Sequence, residues 1–426
     1  MKTSDYNYFI PYRGKHIFFN GINKRFFIVS DENHEAMEDV VRHPEAYKDV
    51  YAPFISKIGE AGFVVDDDAD EKRQTRDIFL AQRDNDIYKL MILPTYDCNM
   101  RCWYCVQKHR GLTLTPESVD SIKRHIRHYL SHAGGSVSLF QLAWFGGEPL
   151  LAFDIIMDIS AYARKVCSEL DIAFSNTITT NGTLLTRGKL EAMKDAGFTF
   201  FQITLDGCKD DHDRVKRLDG GSSYELILRN ICLMLETIPD AMCNLRFNYT
   251  PDNLRPREFI EGISERIPAV LRRRIELSFK KVWQVDDPKI DPAKTDELFD
   301  LARRHNFGID TRNNFSICYV EFRNYNTIFP NGRVDKCDNV DPDTARGTIA
   351  PDGSIEWSGD LTFFDHTAFN EGESECYGCR YLPVCNGPCP PERERMWKAS
   401  QYIKCRYQYP QLVCEDRIKG YCESYL

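Results

Sequence analysis

Cys98-Asn99-Met100-Arg101-Cys102-Trp103-Tyr104-Cys105 carries three thiols in the spacing C-x3-C-x2-C, directly after the apolar run Tyr88 to Leu93. Thiolates are soft ligands that select iron–sulfur clusters, zinc or copper(I), and three of them on one tight loop can hold three corners of a cubane [4Fe-4S] cluster. The fourth iron is then left without a protein ligand. A zinc knuckle is the plain alternative, but zinc asks for a fourth Cys or His nearby, and His109 is the only candidate.

The chain of 426 residues is long enough for two or three domains with sizeable cores. No segment approaches the roughly 18 uncharged apolar residues of a membrane span, and Met1-Lys-Thr-Ser-Asp-Tyr lacks the apolar core of a signal peptide, so the reading is a soluble, cytoplasmic protein. In that compartment thiols stay reduced, so 16 cysteines argue for metal rather than for a disulfide framework. A net charge of -9 gives no general attraction to nucleic acid or to anionic membranes.

Residues 1–84 read as three short strands, Tyr8 to Pro11, His16 to Asn20 and Arg25 to Val29, followed by two helices. Ser30 and Asp31 offer N-cap chemistry for a helix through Ala36, Met37, Val40 and Val41, and Phe54, Ile55, Ile58 and Ala61 recur at helical spacing up to a stop at Gly62. Phe63-Val64-Val65 would close the segment as a wing, giving a winged-helix-like domain. Such a fold can bind DNA, but this one has no Lys/Arg-rich recognition helix.

From 85 to 306 strands and helices alternate, as in a parallel sheet with right-handed crossovers. The strands expected are Tyr88 to Leu93, Leu139 to Trp144, Phe174 to Ile178, Thr199 to Leu205, Leu245 to Tyr249 and Ile275 to Val282, with helices near 118–132, 153–170, 189–196, 224–237 and 258–267 and one ending near His305. Six βα units indicate an α/β fold, a partial (β/α)6 barrel of the TIM type, whose reactive end lies at the C-terminal ends of its strands. The motifs fall at those ends: Cys98 after the first strand, Phe145-Gly146-Gly147-Glu148-Pro149 after the second, Thr180-Asn181-Gly182-Thr183 after the third and Asp206-Gly207 after the fourth. The glycines let backbone approach a ligand without a Cβ in the way, and Glu148 can accept a hydrogen bond from an ammonium group.

On these residues the chain closely resembles the radical SAM enzymes. The resemblance implies that the open iron chelates the amino and carboxylate groups of S-adenosylmethionine and that one electron splits it to a 5′-deoxyadenosyl radical. It further implies that Gly146, Gly147, Glu148 and Pro149 cradle the methionine amino group, that Tyr104 packs near adenine, and that Asn181, Thr204 and Arg246 contact ribose and carboxylate. The stretch Asp206-Gly207 to His212-Asp213, Lys216-Arg217 and Gly220-Gly221-Ser222-Ser223-Tyr224 resembles the family's H-D-x-x-R region. Lys216 stands at the usual Arg position with Arg217 beside it, and the sequence does not decide between them.

In residues 307–426 the order Cys318-x13-Gly332-x4-Cys337, then Cys376-x2-Cys379-x5-Cys385-x3-Cys389, then Cys405 resembles the SPASM extension, which holds two auxiliary [4Fe-4S] clusters. Zinc ribbons are the alternative. The resemblance implies that Cys376, Cys379, Cys385 and Cys405 ligate a distal cluster and that Cys318, Cys337 and Cys389 ligate a nearer one, for three clusters in all. Sulfatase-maturing relatives have an extra cysteine shortly after the first of these, and here there is none. A substrate thiolate, water, Asp338, Cys414 or Cys422 could complete the nearer set. The N-terminal domain is similar to the peptide-recognition domains of maturases of ribosomally made peptides.

The resemblance therefore implies a radical SAM oxidoreductase that modifies a precursor peptide bound through its leader, forming a thioether or carbon–carbon crosslink, with flavodoxin or ferredoxin as electron donor. A sulfatase-maturing enzyme that forms formylglycine is the rival, with Asp338 as its general base. An iron–sulfur sensor using the winged domain on DNA is the alternative of another class, and it would leave the S-adenosylmethionine motifs unexplained.

Overall fold

The computed structural model describes every residue except 108, 218–220, 283, 286–291, 311–314, 360 and 426, so Gly220 of the sequence motif lies outside the described residues. The chain forms two compact units. One comprises Met1–Asn85, Thr311–Arg323 and Leu361–Leu426, and the other Asp86–Asp310 and Asn324–Asp360. The C-terminal stretch expected as one consecutive domain is thus divided, and two pairings described below explain the division.

In the first unit, β1 (Lys2–Thr3) precedes the antiparallel strands β2 (Asn7–Tyr12), β3 (Lys15–Asn20) and β4 (Phe26–Ser30), arranged in the order β2-β3-β4. Three helices follow, α1 (His34–Arg42), α2 (Pro44–Tyr47) and α3 (Ala52–Glu60). Gly62, at φ +83°, ends the last of these. Helix α1 begins later than Ser30 and Asp31 suggested, because Asn33 takes the N-cap position and makes no side-chain cap bond. The expected wing, β5 (Val64–Val65), pairs with β1 and not with the three-stranded sheet. Helix α4 (Glu71–Arg83), capped by Asp70, completes the segment.

Ile17, Phe18 and Phe19 of β3 are all fully buried, so the central strand needs cover on both faces. On one face Phe18 packs with Val40, Val41, Ile55, Ile58 and Phe63. On the other, Ile17 and Phe19 meet Cys414, Ile418 and Cys422 from the end of the chain. This pairing draws the C-terminus into the first unit.

The second unit is an α/β sheet. Strands β6 (Ile87–Ile92), β7 (Leu139–Trp144), β8 (Ala173–Thr180), β9 (Phe198–Leu205), β10 (Met242–Tyr249) and β11 (Ile275–Lys281) are parallel neighbours in sequence order. Their crossovers carry α5 (Pro116–His132), α6 (Phe153–Glu169), α7 (Arg187–Asp195), α8 (Lys209–Val215), α9 (Ser223–Thr237), α10 (Pro256–Arg266) and α11 (Ala269–Arg272). This is the partial barrel that the alternation of elements led us to expect. After α12 (Pro292–Arg304) and β12 (Gly308–Ile309), the strand β13 (Tyr325–Ile328) adds to the free edge of β6 in parallel. The meander β14 (Arg333–Asp335), β15 (Gly347–Ile349) and β16 (Ile355–Trp357) continues the sheet from there. All four residues of β13 are buried, which is why residues 324–360 belong with the barrel.

The remaining helices, α13 (Leu382–Cys385), α14 (Pro390–Ser400) and α15 (Pro410–Glu423), lie in the first unit. Among the described residues no helix is long and apolar enough to cross a membrane.

Candidate functional site

The cysteine loop leaves the end of β6 and is bracketed by backbone pairing. Tyr96 N–H donates to Leu112 O at 2.9 Å, and the Thr95 hydroxyl donates to the same carbonyl at 3.1 Å. From the other side Gly147 N–H donates to Thr95 O at 3.0 Å and Glu148 N–H to Asp97 O at 2.7 Å. A Cβ on Gly146 would stand 2.5 Å from Thr95 O, and one on Gly147 would stand 2.2 Å from Asp97 O. The paired glycines therefore make room first for the backbone that carries Cys98, although both also line the cavity described below.

Asn181 at the end of β8 is committed to the same loop. Its amide nitrogen donates to Asn99 Oδ1 at 2.7 Å, with Cys98 Sγ at 3.9 Å, and its oxygen accepts from Thr183 N–H and the Thr183 hydroxyl. Cys98 Sγ also accepts from Met100 N–H at 3.3 Å. Burial pushes the Cys98 thiol above its ordinary range and the Cys102 thiol up to about 11. An electron-withdrawing metal is what would hold such thiols as thiolates.

Glu148 turns inward, contrary to its expected place against a ligand ammonium. The residue is fully buried, and its carboxylate accepts from Leu150 N–H at 3.0 Å, Thr180 Oγ1 at 2.7 Å and Asn181 N–H at 2.8 Å. Burial raises its pKa, and those three donors oppose the rise. Glu148 thus ties the end of β7 to the end of β8, and neither it nor Pro149 lines the cavity.

Tyr104 is fixed by its hydroxyl, which donates to the Asp206 carboxylate at 2.7 Å while Asn248 approaches at 3.3 Å. Lys216 is buried, with its ammonium 3.5 Å from Asp206 and donating to Thr204 O at 3.1 Å. Of the two basic residues the sequence left open, Lys216 lines the cavity and Arg217 does not. His212 accepts from Asp206 N–H, and burial first, then the Lys216 charge, pushes its pKa down to about 3.

These groups surround a cavity of about 250 Å³ at the C-terminal ends of the barrel strands. Cys98, Cys102, Cys105 and Tyr104 border it with Gly146, Gly147, Asn181, Thr204 and Arg246. Sequence reasoning missed Gln107, Gln202, Asn248 and Lys281, which also line it. A signal existed: in Gln202-Ile203-Thr204-Leu205 and Arg246-Phe247-Asn248 the polar residues recur every second position, and alternate residues of a strand share a face. The apolar members are fully buried in the core, and the polar ones fall on the face that lines the cavity.

The donors fit the group that the spacing implies. The three thiols share the cavity with the cations Arg246, Lys216 and Lys281, which suit a carboxylate, and with the peptide groups of Gly146 and Gly147. His109, the candidate fourth zinc ligand, is not among the lining residues. Gln107 has both its amide nitrogen and its oxygen buried with no hydrogen-bond partner. With Val106 it also borders a second cavity of about 210 Å³ lined by Tyr96, Arg110, Asp338 and Asp341. Arg110 is held there by Asp341 and Asp343 at 2.6 and 2.9 Å.

The other cysteine sets are placed by separate devices. In the first unit, pairing between Ser374 and Ile403 and a bond from Cys405 N–H to Glu375 at 2.9 Å bring Cys405 beside the Cys376 and Cys379 turn. Cys385 lies close enough to Cys414 to accept its S–H, which pulls the Cys385 pKa below its ordinary value. Cys318 precedes the turn Tyr319–Glu321 and Cys389 caps α14, and a buried pair between Glu321 and Arg393 joins those two segments at 2.5 Å. Cys337 and Asp338 belong to the second unit, and Cys422 is an ordinary core residue.

Residues 92–261 match the family model described as the radical SAM superfamily. The Fe-coproporphyrin III synthase of Methanosarcina barkeri is 26% identical over 178 residues, 41% of this chain and 41% of that protein, so the match spans less than half of the relative's length. Among solved structures, anSMEcpe with bound AdoMet and the Kp18Cys peptide superposes with a TM-score of 0.57 at 18% identity, over 79% of this chain and 97% of that one. Streptococcus suis SuiB superposes with a TM-score of 0.50 at 16% identity, over 95% and 99%. At these identities the structures speak to fold alone.

Proposed function

We propose that this chain, whose residues 92–261 form a radical SAM domain, is a maturase acting on a ribosomally made peptide. The observation that carries this reading is the site itself: three thiols on a braced loop bordering one cavity, with Val106 and Gln107 shared between it and a second cavity bordered by Asp338. When bound, the cluster and S-adenosylmethionine supply an electron and a carbon-centred radical able to remove hydrogen from an unactivated C–H bond. The chain's own residues do the rest. Arg246 and Lys281 balance a carboxylate, the backbone of Gly146 and Gly147 offers acceptors to an ammonium, and the Tyr104–Asp206–Lys216 chain fixes one wall.

A buried amide with unmade bonds, such as that of Gln107, pairs well with a peptide group, which presents one donor and one acceptor. The peptide bound in the anSMEcpe structure is consistent with such a substrate. The three-cluster reading rests on ten cysteines in three sets and predicts about twelve irons per chain. An electron donor of the flavodoxin or ferredoxin kind completes the system.

The leader would add to the sheet as a strand. The edge at β2 is engaged by the C-terminal segment, since Arg380 donates to Asn7 O and Tyr8 to Arg380 O. Strand β4 is the other edge. Hydrogen exchange with and without a candidate precursor peptide tests the reading, and protection of the amides of 26–30 is the expected result. Peptide turnover without protection there would reject strand addition, and S-adenosylmethionine cleavage with no product on any peptide encoded beside the gene would reject the maturase.

The Asp338 cavity also keeps a second reading in play, oxidation of a protein Cys or Ser to formylglycine. A hydrazine-reactive aldehyde on the product, in place of a crosslink, would select it.

A further inference from the structure

We infer that His16, Asp31 and His34 form a binding site for a divalent transition-metal ion of the zinc kind, separate from every cysteine set and independent of whether the domain binds a peptide. His16 stands on the central strand β3, Asp31 follows the last residue of β4, and His34 opens α1. One ligand atom from each residue lies within 4.8 Å of the other two. Ligands about 2.0–2.2 Å from a tetrahedral ion are roughly 3.3–3.6 Å apart, so small side-chain turns close the set.

The hydrogen bonding around the rings is what a ligand set requires. His34 Nδ1 lies 2.6 Å from the backbone oxygen of Asp31. A carbonyl can only accept, so Nδ1 carries the proton and Nε2 keeps its lone pair, the arrangement by which metal-bound imidazoles are usually oriented. His16 Nδ1 is buried and makes no hydrogen bond, with Asp31 Oδ1 at 3.6 Å. A buried ring nitrogen left unpaired is destabilising, and an ion bound there would remove that penalty. The two rings stack at 3.8 Å and 10°. Histidine χ2 is a broad torsion, so the rings can fan apart to aim both lone pairs at one point.

The donor chemistry separates this site from the others. Two imidazoles and a carboxylate suit zinc and its neighbours, whereas the cysteine sets are all soft sulfur. Asp31 is 71% exposed, which leaves the fourth position of the ion to water. Such an ion would fasten the start of α1, whose Val40 and Val41 pack on the sheet, to the strand at the centre of that sheet.

The test is calorimetric titration of Zn²⁺ into the full chain, cluster-loaded, anaerobic and stripped of adventitious metal. One equivalent should bind at micromolar or lower Kd, and His16→Ala or His34→Ala should each weaken that step at least tenfold with iron content unchanged. Zinc K-edge absorption should show nitrogen and oxygen ligands with the outer-shell pattern of imidazole. If His16→Ala disturbs folding, the variant at His34, at the rim of the domain, carries the comparison. Undiminished uptake by the variants, sulfur neighbours at the zinc, or binding only at millimolar Zn²⁺ would each overturn the site.

Discussion

Gly147→Ala should uncouple the cysteine loop from the barrel. An added Cβ would lie 2.2 Å from Asp97 O and 2.7 Å from Tyr96 O, against a carbon–oxygen contact distance of about 3.3 Å. Both neighbours are backbone, so no side chain can swing aside, and Asp97 must retreat by about 1 Å, taking Cys98 with it. Overpacking of this kind costs about 1–3 kcal/mol. A shift of about 1 Å in a reacting geometry costs on the order of 100-fold in rate. The assay is formation of 5′-deoxyadenosine from S-adenosylmethionine with a chemical reductant, alongside iron and sulfide content. Gly147→Ala should be about 100-fold slower, and Gly146→Ala slower still, because φ +121° adds backbone strain. Gly188→Ala, in α7 with no atom near the new Cβ, is the control and should be neutral or stabilising. Wild-type iron content and rate in Gly147→Ala would refute the bracing argument.

Other outcomes follow from the same structure. Glu148→Ala leaves the buried Leu150 N–H and the part-buried Asn181 N–H without an acceptor and should cost about 1–3 kcal/mol or more, read by urea unfolding, with Glu148→Gln milder. Arg393→Met strands the buried Glu321 and should destabilise by about 3–5 kcal/mol; an unchanged midpoint would show the pair to be idle. Burial holds His212 and His125 at about 3 and about 4, so the unfolded chain takes up their protons first and stability falls as pH drops below 6.5, by about 1.4 kcal/mol per pH unit for each ring. His212→Gln should flatten that slope between pH 6 and pH 5 by about 1.4 kcal/mol. Gln107→Leu should raise the peptide KM about tenfold, one to two neutral hydrogen bonds, while leaving peptide-free S-adenosylmethionine cleavage unchanged; equal loss in both would place Gln107 in the cofactor site instead.

The barrel was legible because its strands and helices announce themselves locally, through apolar runs such as Tyr88 to Leu93 and helical spacing such as that of α6. What escaped was non-local. The strand β13 is four residues whose burial comes from pairing with β6, more than two hundred residues earlier, and nothing in Tyr325-Asn-Thr-Ile signals that partner. Likewise the fully buried Ile17-Phe18-Phe19 says that β3 is covered on both faces but not that α15 supplies one cover. At the site, residue types marked the loops at the strand ends but not their partners: Glu148 and Asn181 brace the cysteine loop, and the glycines admit backbone. Those assignments depend on distances between strand ends, which spacing along a chain does not contain.

Whether Cys98, Cys102 and Cys105 hold a reactive cluster is decided by replacing all three with Ala and measuring, on one anaerobic preparation, iron content and 5′-deoxyadenosine formation. Loss of about four of about twelve irons together with all cleavage of S-adenosylmethionine is the expected result. Cleavage at the wild-type rate, or iron content unchanged by the substitution, would contradict it.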